Sequence, residues 1–83
     1  MTEIVTIAEW PSGRRGEVVR MTIDEFGGRR LINLRKWFEA ENGSMRPGRS
    51  GMALGIKHLH RLADGLAEAR KVAIAQGMIE PER

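Results

Sequence analysis

The sequence contains no cysteine. A disulfide scaffold, a cysteine-ligated metal site and a cysteine nucleophile are therefore excluded, and the composition suits a reducing compartment. No apolar run approaches the roughly 18 residues of a membrane helix, and no basic region followed by a signal-type apolar stretch opens the chain. These absences point to a soluble, intracellular protein with no membrane partner. Histidine is scarce: His58 and His60 stand two apart on an expected helix, point in different directions and have no acid or cysteine at zinc-binding spacing. Ser12, Ser44 and Ser50 have no histidine nearby in sequence, and the carboxylates Asp24-Glu25 and Glu39/Glu41 flank turns. The segment Arg46-Pro47-Gly48-Arg49-Ser50-Gly51 lacks the spacing of a phosphate-cradling P-loop. No cofactor, metal or catalytic group is expected.

What is present is basic and rich in arginine. Residues 14 to 49 hold nine Lys or Arg against five acids, whereas residues 1 to 13 hold two acids and no base. Eleven of the fourteen basic residues are arginine, whose planar fork pairs with phosphate and stacks on bases. At 83 residues the chain is one domain, 1–83, small enough that dimerisation would help its stability.

The centre of the chain is a hairpin. Val18 to Asp24 and Arg30 to Phe38 are rich in β-branched, apolar and aromatic residues, and Gly27-Gly28 between them signals a two-residue primed turn. That turn sets Phe26 opposite Arg29, Ile23 opposite Ile32, Thr22 opposite Asn33, Met21 opposite Leu34 and Arg20 opposite Arg35. Alternation then gathers Met21, Ile23, Ile32 and Leu34 on one face. The other face collects Arg20, Thr22, Asn33 and Arg35, with Phe26, Arg29 and Trp37 on the same parity. Two arginines directly opposite repel, at a cost of a few tenths to about 1 kcal/mol, and an anion between them would relieve it. Rings on the same open face offer a stacking surface worth roughly 1–3 kcal/mol per base. The combination suits phosphate plus base.

Around this hairpin the expected elements are strands over about 3–10, 17–26, 29–39 and 50–55, then a helix over about 56–77. Trp10-Pro11-Ser12-Gly13 should end the first strand, with Trp10 assigned to the core or to a dimer contact. Asn42-Gly43 marks a reversal, and 46–51 is expected to be a stiff, exposed loop carrying Arg46 and Arg49. Ile56, Leu59, Leu62, Ala63, Leu66, Ala69, Ala73 and Ile74 recur at helical spacing and form the natural cover for the Met21, Ile23, Ile32, Leu34 face. Gly65 within that helix marks a bend or close packing against a second subunit. Gly77 should end it, leaving Met78 to Arg83 as a tail.

The run from Gly16 to Leu54, through IDEFGGRRLINLRKWFE (23–39) and MRPGRSGMAL (45–54), resembles the single-strand-binding domain of the transcriptional coactivator family called positive cofactor four, including its bacterial relatives. The resemblance implies an α+β fold: a curved four-stranded antiparallel sheet followed by one C-terminal helix (ββββα), forming a homodimer. It implies binding of single-stranded or unpaired DNA, without catalysis, in support of transcription and in contact with the transcription machinery. It also implies that Phe26, Arg29, Arg35, Phe38, Arg46 and Arg49 meet the strand, beside Arg20 and Trp37 from the hairpin reading. Glu17, Val19, Asp24, Gly27 and Ser50 stand where animal members carry basic residues. Strict alternation sets Trp37 on the open face and Phe38 on the covered one, so either a bulge or bend reorients the end of the strand or Trp37 takes the stacking role. The competing reading is a protein-interaction adaptor or an RNA-binding module to which DNA binding is incidental.

Overall fold

The computed structural model describes residues 3–82. One antiparallel sheet in the order β1-β2-β3-β4 is built from β1 (Glu3–Pro11), β2 (Glu17–Phe26), β3 (Arg29–Glu39) and β4 (Met45–Gly55). A single 3-10 turn, Ile56–His58, leads into the helix α1 (Leu59–Ala75). The fold is thus ββββα. No helix among the described residues is long and apolar enough to cross a membrane.

The β2–β3 hairpin has the register its turn dictates. Gly27 (φ 58°) and Gly28 (φ 80°) both adopt the positive φ of a type I′ turn. The ladder then runs without interruption from Phe26↔Arg29 through Thr22↔Asn33 and Arg20↔Arg35 to Glu17↔Phe38. Pro11 extends β1 by one residue beyond the expected end, which an edge strand tolerates because its free side needs no donor.

The two flanking strands each carry an irregularity. In β1 the pairing slips between Thr6 and Ala8, leaving Ile7 as an extra residue. In β4 the partners jump from Trp37↔Pro47 to Arg35↔Gly51, so Gly48, Arg49 and Ser50 together face Lys36. The expected loop at 46–51 is therefore wrong. These residues belong to a bulged edge strand, and the connection between β3 and β4 is the short turn around Asn42-Gly43, closed by Ala40 N–H donating to Ser44 O at 2.8 Å. Pro47 is compatible with this because β4 is an edge.

The helix is also placed differently from expectation. It does not cover the Met21, Ile23, Ile32, Leu34 face; its contacts are with the 3-10 turn, and those with the strands are marginal. The 3-10 turn passes into α1 without intervening residues, which leaves no chain to swing the helix back over the sheet. No residue of α1 is buried, Leu66 is 51% exposed, and Ile32 is the one buried apolar residue among those described. Trp10, expected in the core or at a dimer contact, is outside the core at 45% exposure. The radius of gyration is 14.9 Å, against about 12 Å for a compact chain of this length. Gly77 (φ 73°) ends α1 in a Schellman motif, with Met78 N–H donating to Ala73 O and Gly77 N–H to Ile74 O. The expected tail runs on to Arg83, which lies outside the described residues.

Two glycines make opposite predictions. A Cβ on Gly51 would sit 2.5 Å from Leu34 O and 2.8 Å from Arg35 Cα, whereas one on Gly65 would meet nothing within 4 Å. Gly51→Ala is expected to destabilise by about 2 kcal/mol or more through backbone displacement. Gly65→Ala is expected to stabilise by about 1 kcal/mol through helix propensity. Paired thermal melts check both.

Candidate nucleic-acid interface

Alternation along the uninterrupted β2–β3 ladder sorts the polar face. Arg20 and Arg35 are cross-strand partners, with Thr22↔Asn33 next to them. Thr22 is 2% exposed and Asn33 9%, so the middle of this face is buried polar surface flanked by charge.

The two arginines are already engaged by the protein. The one-residue slip at Ile7 brings Glu9 opposite Arg20, and Arg20 Nε donates to Glu9 Oε1 at 2.7 Å. The Arg20 guanidinium lies over the Trp37 ring, 4.2 Å from its centroid, the geometry of a cation–π contact. Arg35 reaches the other way. Its Nη1 donates to Gly48 O at 3.2 Å and Arg49 O at 3.4 Å, fastening the bulge of β4. The expected repulsion is thus relieved by a carboxylate on one side and two carbonyls on the other, without an external anion. Arg20 and Arg35 act first as positioning residues, and each keeps guanidinium N–H groups beyond those bonds.

Aromatic rings and arginines recur together. Phe26 is 66% exposed and faces Arg29 across the turn. Phe38 is 44% exposed and faces Arg46 on β4. Trp37 lies beneath Arg20. Trp37 is thus in contact with a guanidinium, while Phe26 and Phe38 each have an arginine as cross-strand partner. They do not share one side: Phe26, Arg29, Arg20, Arg35 and Trp37 share one parity, whereas Phe38 and Arg46 share the other. The bulge lies in β4, so it does not reorient Phe38, whose pairing with Glu17 is regular. Arg49, within the bulge on the edge strand, is exposed.

A cavity of about 190 Å³ opens on the polar face, lined by Ile4, Thr22, Asp24, Asn33, Arg35, Trp37 and Pro47. Each strand contributes to it. Two of its participants, Asp24 and Ile4, were not among the residues the hairpin pattern singles out. Nor was Glu9, because its partnership with Arg20 depends on a slip in β1 that leaves no mark in the sequence.

A family model described as Transcriptional Coactivator p15 (PC4) matches residues 14–65. Among solved structures, the chain is similar to a bacteriophage T5 homolog of the eukaryotic transcription coactivator PC4, implicated in recombination-dependent DNA replication. The TM-score is 0.66 at 24% identity, covering 92% of this chain and 82% of that one. It is also similar to a PC4 homolog from Burkholderia pseudomallei, with a TM-score of 0.68 at 24% identity, covering 82% of this chain and 98% of that one. At such identities the likeness is one of fold. No curated protein sequence matches the chain.

The clamp on the bulge is testable apart from any ligand. Arg35→Lys keeps the charge but removes the Nη1 that reaches both carbonyls. Amide exchange from Gly48 to Gly51 is expected to speed up about tenfold, the loss of one to two hydrogen bonds at about 1 kcal/mol each. Exchange in the β1–β2 ladder should be unchanged, and hydrogen-exchange NMR reads both.

Proposed function

The chain belongs to the Transcriptional Coactivator p15 (PC4) family, and from that premise we propose a non-catalytic protein that binds single-stranded or locally melted DNA in support of transcription inside the cell. The observation that carries this reading is the recurrence of rings beside arginines, Trp37 stacked under Arg20, and Phe26 and Phe38 across the ladder from Arg29 and Arg46. Stacking takes the bases and the arginines take the phosphates, a combination tolerant of sequence. The strand runs from Phe26 and Arg29 at the hairpin tip, past Trp37, to Arg49 on the bulge. Because β4 is an edge, a strand passing over the bulge also reaches Phe38 and Arg46 on the far side.

The working unit is a homodimer. The chain exposes 7055 Å², about 2,000 Å² more than a compact monomer of its mass. That excess is what one partner of an obligate interface typically buries. The exposed groups include large apolar side chains: Leu66 and Val72 on α1, Met52 on β4 and Trp10 on β1 are all at least 39% exposed. A second copy supplies to each chain the cover that its own helix does not.

Titration of a labelled oligo-dT and a duplex of equal length, at two salt concentrations, tests the strand reading. The single strand is expected to bind more tightly and with marked salt dependence, whereas affinity weaker than roughly 100 μM or equal for both ligands would refute it. In a Trp10→Phe background, quenching by unlabelled oligonucleotide is expected from Trp37 alone, and Trp37→Ala should lower affinity by about 1–3 kcal/mol. For the dimer, Leu66→Glu is expected to shift sedimentation from dimer to unfolded or monomeric chain, and a wild-type protein sedimenting as a folded monomer would end that part of the proposal.

A further inference from the structure

Asp24 is an anion in the middle of a basic face, paired in register with Leu31 on β3 and Ile4 on β1. Its Oδ2 accepts from Asn33 Nδ2 at 2.5 Å. Its Oδ1 is shut from solvent and has no donor among the described residues. Buried acceptors normally have a partner, and a carboxylate oxygen without one marks a place where a donor is missing. Both residues line the cavity that Trp37 and Arg35 also border. Its volume of about 190 Å³ equals roughly six waters of liquid, the size class of one planar base.

We propose that this cavity reads the edge of an unpaired nucleobase seated beside Trp37, with Asp24 and Asn33 selecting bases that bring N–H donors, guanine foremost. The inference rests on the strand-binding reading and adds a base preference to it. One N–H of Asn33 Nδ2 is given to Asp24, which leaves its second N–H as a donor beside the acceptors Asn33 Oδ1 and Asp24 Oδ1. Oδ1 reaches the cavity by a turn about the broad terminal torsion of the aspartate, a turn in which the Oδ2 bond to Asn33 gives way to bonds from the base. Guanine presents adjacent N1–H and N2–H donors on its exposed edge, matching the two oxygens of a carboxylate. Cytosine and adenine present one amino group, and thymine only N3–H. A strand of thymines therefore brings phosphates near Asp24 with the least return in hydrogen bonds.

The test is fluorescence anisotropy with a labelled dT 16-mer, the same strand with isolated dG at every fourth position, and a third with inosine, which lacks the 2-amino group, in place of dG. The expected order is dG strand tightest, by about tenfold over dT, with inosine, which like thymine brings a single N–H, close to dT. Asp24→Asn, which keeps the shape and removes the charge, should bind dT as well or better and reduce the dG preference below about twofold. Equal binding of the dT and dG strands by the unmodified protein, or an undiminished preference in Asp24→Asn, overturns the proposal while leaving strand binding intact. Binding to none of the three strands overturns the strand-binding reading itself. The base series on the unmodified protein decides the matter even where the variant fails to fold.

Discussion

The β2–β3 ladder is the constraint on which the rest depends. A two-glycine turn with both φ angles positive leaves one register, and alternation along an uninterrupted ladder then assigns every side chain of the hairpin to a face. A slip of one residue would exchange Arg20, Thr22, Asn33 and Arg35 for Met21, Ile23, Ile32 and Leu34. The basic face would vanish with it. The flanking strands carry slips and bulges, but those adjust what surrounds the ladder and leave its two faces unchanged.

Those adjustments decide how the charges behave. A pair of facing arginines looks like an empty anion site when the hairpin is considered alone. In the sheet, β1 supplies Glu9 to one guanidinium and the bulge of β4 supplies two carbonyls to the other. An exposed ion pair of this kind contributes about 0–1 kcal/mol, so its value lies in geometry more than in stability. It holds Arg20 over Trp37, as the two carbonyls hold Arg35 at the bulge, so little side-chain freedom is left to either guanidinium.

Packing is the counterpart of this openness. One buried apolar side chain among the described residues cannot stabilise a domain of this size. The apolar stripes of sheet and helix are long, well ordered by pattern, and not stacked on one another within the chain. Folding and presentation of the basic face are in this way coupled, since whatever covers the apolar stripes also fixes the sheet that carries the arginines.

Local rules made much of this legible. The turn at Gly27-Gly28, the pairs Arg20↔Arg35 and Thr22↔Asn33, and the helix with its stop at Gly77 follow from φ preferences, alternation and helical period, each a property of neighbouring residues. The resemblance through 23–39 and 45–54 pointed to the family that the family model identifies. Other features could not be read in this way. The bulge that makes 46–51 part of a strand, the slip at Ile7 that sets Glu9 against Arg20, and the helix standing off its own sheet depend on which strands become neighbours and on the direction in which the chain leaves β4. Those are relations between distant segments, and residue pattern specifies what each segment can bury or donate without specifying what it will meet.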